Sequence, residues 1–129
     1  GTGNRKSRID WKYDGWYSRI HRRPPPALIG NNHHLSPFAG EDFQMFEKDL
    51  PGENKSGLSF QKASQQLPVE TCETMNNSWG FNITDTSYKS VKQLIHYLVK
   101  AAGLDVNFLL NVGPLPNGKI QREFTDTLK

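Results

Sequence analysis

Between residues 87 and 102 the apolar positions fall at Val91, Leu94, Ile95, Leu98 and Val99, with spacings of 3, 1, 3 and 1. That is one stripe of an amphipathic helix. Asp85 or Thr86 can cap its start and Gly103 can stop it. The same rule predicts a helix over residues 10–23, where Tyr13, Trp16, Tyr17 and Ile20 form a second stripe. Asp10 can cap it, and Pro24, Pro25 and Pro26 end it, because proline lacks the amide proton and restricts the residue before it. The remaining apolar stretches are short and run into polar loops. Ala27 to Ile29 leads into Gly30-Asn31-Asn32-His33-His34, and Pro68 to Met75 leads into a loop over 76–85. Asn107 to Val112 is apolar on both faces apart from its asparagines, the pattern of a strand buried on both sides in a parallel sheet. A turn at Pro116-Asn117-Gly118 precedes a last helix over 121–128. Periodicity fails from Leu35 to Gln66, where turn formers recur at Ala39-Gly40, Leu50-Pro51-Gly52 and Lys55-Ser56-Gly57. We expect irregular chain there, pinned by Phe43, Phe46 and Leu50, and so long a connection in a compact domain is more often functional than idle.

The order is therefore helix, strand, long loop, strand, helix, strand, helix. Two buried strands joined by a helix make the βαβ unit of an α/β protein. Three strands do not close a barrel, which takes roughly 250 residues. A small doubly wound sheet would want a glycine-rich phosphate loop after its first strand, and neither GxGxxG nor a Walker sequence occurs. The expected architecture is a segment of a larger α/β barrel, with parallel strands and crossover helices, rather than a complete domain.

Composition narrows this little. The chain has 129 residues and 35% hydrophobic content, enough for one core. No apolar run suggests a membrane helix. The chain starts with Gly rather than Met and shows no leader-like apolar segment, so we expect a cut there. The net charge of +3 owes much to Arg5, Lys6, Arg8, Lys12, Arg19, Arg22 and Arg23. A nucleic-acid patch is one reading. A solvated helix face is the preferred one, because the aromatic residues here recur at helix spacing rather than as a base-stacking platform. The single cysteine, Cys72, excludes an intrachain disulfide and reads as a small buried strand residue rather than a nucleophile.

In α/β folds the working residues lie at the carboxyl ends of strands. That rule gathers Asn31, Asn32, His33 and His34, then the loop carboxylates Glu41, Asp42, Glu47, Asp49 and Glu53. It adds Glu70, Glu73, Asn76, Asn77 and Trp79 from the next strand end and Asn111 from the last. Adjacent histidines point apart in extended chain, so His33 and His34 make a poor metal pair. No G-x-S-x-G elbow marks a serine nucleophile. Carbohydrate chemistry fits the inventory best: carboxylates serve as acid, base or nucleophile, amides and imidazoles bond hydroxyls, and a tryptophan packs on a sugar ring. Each residue also has a plainer reading. Trp79 can anchor a loop, Asn111 can hold neighbouring strands, one of the histidines can be structural, and a lone loop carboxylate is by default exposed.

The ordered motifs Glu70-Thr-Cys-Glu-Thr-Met-Asn-Asn-Ser-Trp-Gly-Phe81, Tyr88-Lys-Ser and Asn107-Phe-Leu-Leu-Asn-Val-Gly-Pro114 with Asn117-Gly-Lys-Ile120 resemble the α-L-fucosidases of glycoside hydrolase family 29. Gly30-Asn-Asn-His-His34 and Gly40-Glu-Asp-Phe-Gln-Met-Phe-Glu47 fit in the same order, and the likeness runs from about Trp11 to the C-terminus. The resemblance implies a (β/α)8 TIM-like catalytic barrel, of which residues 1–129 would be the C-terminal part and one piece of a single catalytic domain, and a retaining double displacement, without metal or organic cofactor. Its partner would be a fucosylated oligosaccharide or glycoconjugate, not nucleic acid or membrane, and its setting periplasmic, secreted or lysosomal. By position Glu47 matches the acid/base, with Glu53 the alternative. His33 stands where relatives place a sugar-contacting basic residue, with His34 beside it. Trp79 matches an aromatic of the fucose pocket near the sugar's methyl group, and Glu70 a supporting carboxylate. The family's nucleophile, the Asp of a Trp-Phe-Asp-Gly-like strand end, has no counterpart in these residues; Asp10 and Asp14 sit in the wrong context. The expectation is a catalytic piece that is inactive alone; the alternatives are a stand-alone carbohydrate-binding module, or a related glycosidase of the same fold with another sugar specificity.

Overall fold

The structure is a computed structural model that describes residues 10–129. Arg5, Lys6 and Arg8 of the basic cluster lie outside the described residues. Four parallel strands form one sheet in the order of the chain: β1 Gly30–Asn31, β2 Phe43–Glu47, β3 Val69–Thr74 and β4 Val106–Asn111. Helices α1 Tyr13–His21, α2 Val91–Gly103 and α3 Arg122–Thr127 accompany them.

The sheet has one strand more than the sequence predicts, and β2 lies inside the stretch expected to be irregular. Its five residues alternate as a strand should, with Gln44 and Phe46 fully buried between half-buried neighbours. The glutamine in a buried position hides that alternation. Its amide donates to the Lys62 carbonyl at 2.9 Å and accepts from the Ser64 amide at 2.6 Å, so it is satisfied and fastens the following loop under the sheet. The first strand falls just after the predicted Ala27 to Ile29. It opens at Gly30, where an added Cβ would lie 2.3 Å from the Phe43 ring and 3.0 Å from Met45 Sδ. Glycine is needed there because the Phe43 side chain crosses the neighbouring strand.

Register separates the two faces. Val69 pairs with Val106, Thr71 with Phe108 and Thr74 with Asn111. Thr71 shares a 2.9 Å hydroxyl bond with Tyr97 of α2, and Phe108 packs on the Tyr97 ring at 4.9 Å, so alternate residues from Val69 and Val106 face α2. Two small cores form on this side: Leu50, Ala101 and Val106, and Met75, Leu94 and Phe124. The opposite face carries Glu70 bonded to Asn107, and Leu109, which is 49% exposed. Burial of β4 on both faces is thus corrected to burial on one among the described residues, because no described layer covers the other.

α2 begins at Val91. Ser90 Oγ accepts from the Gln93 amide at 3.3 Å while Gln93 Oε1 accepts from the Ser90 amide at 2.8 Å, a reciprocal cap that displaces the predicted Asp85 and Thr86. Gly103 closes the helix from inside, with Leu104 as the C-cap. The packed seam is Leu94, Tyr97 and Ala101, one helical ridge. Val91, Ile95, Leu98 and Val99 of the predicted stripe are at least half exposed. α1 departs further, since none of its residues is buried and Trp16 is 59% exposed. Polar bonds hold it instead: Tyr17 Oη donates to Glu41 at 2.9 Å, and His21 Nε2 meets Asp42 at 2.8 Å.

Candidate active site

A parallel sheet delivers all its carboxyl ends to one edge, and the polar loops follow from there. The loop after β1 is built around Glu41. Its carboxylate accepts from Tyr17 Oη at 2.9 Å, Asn31 Nδ2 at 2.8 Å, His33 Nε2 at 2.8 Å and the Phe38 amide at 2.8 Å. Burial alone would raise the pKa of this carboxyl; the four donors outweigh it and hold the group below its ordinary value. His33 is committed to this node. Its Nδ1 accepts from the Leu35 amide at 3.1 Å, so Nε2 carries the proton given to Glu41, and its ring stacks on Phe38 at 4.2 Å.

Glu47 ends β2 and points to the other face, level with Cys72 across the ladder. Its Oε1 accepts from Trp79 Nε1 at 3.1 Å and its Oε2 from Asn32 Nδ2 at 3.1 Å. His34 Nε2 stands 3.9 Å from Oε2, beyond hydrogen-bond length. His34 and Lys48 both take left-handed backbone, at φ 59° and 63°, one in the loop after β1 and one directly after Glu47. Non-glycine residues in that region store strain, and such positions gather at functional sites. Among the described residues, Asn32 Oδ1 and His34 Nδ1 are buried side-chain atoms without a hydrogen-bond partner, and both belong to residues that flank Glu47.

Trp79 arrives on the loop after β3, which is fastened at several points. Asp85 accepts from the Asn77 amide at 2.9 Å and Ser78 Oγ at 2.8 Å, and its pKa is lowered chiefly by the Ser78 bond. Asn111 Nδ2 donates to the Trp79 carbonyl at 2.8 Å and to Thr74 Oγ1 at 3.0 Å. A Cβ on Gly113 would lie 2.5 Å from the Gly80 carbonyl carbon, so the chain just after β4 and this loop meet backbone to backbone. Lys89 Nζ grips the strand end, donating to the carbonyls of Thr74 at 2.7 Å and Asn76 at 3.0 Å, beside Glu73 at 3.3 Å. Lys48 Nζ lies 5.5 Å over the Trp79 ring and covers one of its faces.

The structure thus brings Glu47, Trp79, Asn32 and His34 together and turns His33 toward Glu41. Glu53 is elsewhere. It pairs with Lys55 at 2.8 Å and accepts from the Leu50 amide at 3.5 Å, along a groove shared with Lys100 and Leu104 at the end of α2. Glu70 is bonded by Asn107 at 2.6 Å near the amino edge of the open face. Cys72 is buried, and burial, then the charges of Glu47, Glu70 and Glu73, push its thiol up to about 11. A protonated thiol at neutral pH is not a nucleophile. Default exposure fails for Glu41 and Asp49, both buried. Asp49 accepts from the Lys55 and Ser56 amides and the Ser56 hydroxyl, and the Asp-Leu-Pro-Gly sequence after it is the turn signal that could have shown this. Asn32 escaped notice as a partner of Glu47, since a 15-residue separation carries no local signal.

The α-L-fucosidase family pattern matches residues 2–129. Among solved structures, α-L-fucosidase isoenzyme 1 from Paenibacillus thiaminolyticus is 33% identical over 92% of this chain, with a TM-score of 0.70, and 28% of its own chain is covered. α-L-fucosidase AlfC from Lactobacillus casei, in complex with α-L-fucose product, is 25% identical over 89% of this chain, with a TM-score of 0.71 and 32% of its own chain covered. The α-fucosidase of Thermotoga maritima, at 23% identity over 90% of this chain and a TM-score of 0.65, with 24% of its own chain covered, shares the fold. The chain spans about a third or less of these relatives. No curated protein matched it.

Proposed function

The chain belongs to the α-L-fucosidase family, and from that premise we propose that it supplies the acid/base half of a retaining α-L-fucosidase site. The observation that carries this is Glu47: a carboxylate at a strand's carboxyl end, held on one oxygen by an indole and on the other by an amide. In a double displacement such a group first gives its proton to the leaving oxygen. It then takes a proton from the water that releases the sugar. The nucleophilic carboxylate, an Asp, comes from protein outside these residues and lies about 5–5.5 Å from Glu47 in the assembled site. Trp79 offers the ring face not covered by Lys48 to the sugar, and His34 lies on the other flank of Glu47. His33 acts from beneath, through the Glu41 node. Terminal α-linked L-fucose is the proposed substrate, supported by relatives solved with α-L-fucose and with an α-1,6-linked fucosyl-GlcNAc bound.

In the full-length enzyme, Glu47→Ala slows unactivated fucosides by on the order of 10²–10⁴-fold. It slows activated aryl fucosides much less, and azide restores part of the loss. Equal losses on both substrate classes, without azide rescue, reject the assignment. The isolated 129 residues release no aryl alcohol from an aryl α-L-fucoside. Turnover by that chain, abolished by Glu47→Gln, would show that no outside carboxylate is needed.

A further inference from the structure

Two features away from Glu47 carry no inference. The exposed apolar stripe of α2 has nothing beside it to name its partner. The groove of about 520 Å³ between Leu28, Phe43 and Asn107 opens at the amino edge, away from Glu47. The set of bonds on Glu47 itself carries one, which rests on the acid/base reading.

An acid/base alternates between two forms, and its holders must tolerate both. Trp79 Nε1 can only donate. It donates to Oε1 at 3.1 Å, and a carboxyl's hydroxyl oxygen is a poorer acceptor than its carbonyl oxygen, so the indole disfavours a proton on Oε1. Asn32 is different, because an amide can present either an N–H or a carbonyl. It now gives Nδ2 to Oε2, while its Oδ1, buried and without a partner, belongs to the same planar group. Turning that amide converts a donor to the carboxylate into an acceptor from the acid.

We infer that Trp79 and Asn32 divide the oxygens of Glu47, so that the exchanged proton sits on Oε2, and that Asn111 is the positioning residue that keeps the indole on Oε1. Asn111 Nδ2 holds the Trp79 carbonyl at 2.8 Å and is itself anchored on Thr74 Oγ1. Gly113 permits the close approach of the two backbones. Lys48 over the ring draws electron density from the indole and strengthens its N–H as a donor. Asn111 therefore reaches the proton donor through one tryptophan, from a strand two positions away in the sheet.

The experiment uses the full-length enzyme with Trp79→Phe and Asn111→Asp. The first keeps an aromatic ring and removes the N–H; the second keeps the size and removes the donor to Trp79. Both are expected to lower kcat on the order of tenfold with KM little changed, and the loss grows as the leaving alcohol becomes more basic. In protein labelled with ¹⁵N at the indoles, the Trp79 N–H resonance shifts in Glu47→Gln and in Asn111→Asp, which reports the contact without reference to turnover. Thermal unfolding of each variant confirms that it is folded. A uniform loss across leaving groups, or a loss confined to KM, overturns the inference while leaving Glu47 as acid/base. A Trp79 resonance indifferent to Glu47→Gln overturns it as well. If Glu47→Ala itself shows no leaving-group dependence, the acid/base reading fails, and a shifted resonance then marks the bond as structural, which also ends the inference.

Discussion

Glu41 and Glu47 are six residues apart, at either end of the same short stretch, and their surroundings are opposite. Glu41 is 5% exposed and accepts four hydrogen bonds, from Tyr17, Asn31, His33 and the Phe38 amide. Glu47 accepts two bonds, remains partly exposed, and is flanked by two buried polar atoms without partners. A carboxylate saturated with donors is held ionised at neutral pH and serves as a structural peg. One with spare capacity and an open side has room for a further partner. The difference lies in the count and kind of partners.

The same substitution at both positions tests that contrast most severely. Glu41→Ala strands Tyr17, Asn31, His33 and the Phe38 amide together. Breaking a buried charged network of this kind costs about 3–5 kcal/mol, a large part of a domain's total stability. Glu47→Ala leaves two donors near water and costs about 1 kcal/mol or less. Chemical denaturation of the two variants of the full-length protein measures both. Equal losses would mean that Glu47 is as structural as Glu41.

Acid titration sharpens the comparison at a smaller scale. Glu41 and Asp49 are both held below the ordinary carboxylate range: burial opposes this, and donated bonds overcome it. A group depressed in the folded state binds its proton more readily when unfolded. The stability it contributes is therefore present above the unfolded value, about 4 for such carboxyls, and is lost as pH falls below it. Thermal midpoints should be flat from pH 5 upward as far as these two groups are concerned, and fall below pH 4. Glu41→Gln and Asp49→Asn should each lower the plateau and make the acid limb shallower. An acid limb unchanged in both variants would show that neither carboxylate is responsible.

How far the sequence revealed these features depends on how local their causes are. The βαβ core of β3, α2 and β4 follows from hydrophobic spacing alone, within a few residues at each end. β2 was hidden because its buried Gln44 breaks the apolar pattern, and only the loop that returns to bond it makes the position tolerable. α1 shows the reverse error: its aromatic spacing is that of a core helix, yet polar bonds from Tyr17 and His21 hold it. At the site, Glu47 and Trp79 were indicated by resemblance. Their mutual bond was not, since it joins residues 32 positions apart. The division of labour between His33 and His34 also needed coordinates, because the ring that engages Glu41 is chosen by the Leu35 amide and the stack on Phe38.

The smallest expected effect concerns Glu53, the other carboxylate considered for proton transfer. Its ion pair with Lys55 is near the surface, with the lysine 71% exposed, and such pairs contribute about 0–1 kcal/mol. Its bond from the Leu50 amide is at the long limit. Its groove runs along the end of α2, on the side of the sheet away from Glu47. Glu53→Ala in the full-length enzyme should change stability by less than about 1 kcal/mol, leave turnover of activated and unactivated fucosides within about twofold, and gain nothing from azide. If this variant lost unactivated substrates selectively and azide restored it, the proton would have to travel from the helix side of the sheet. The bonds that Trp79 and Asn32 place on Glu47 would then serve only to fold the rim.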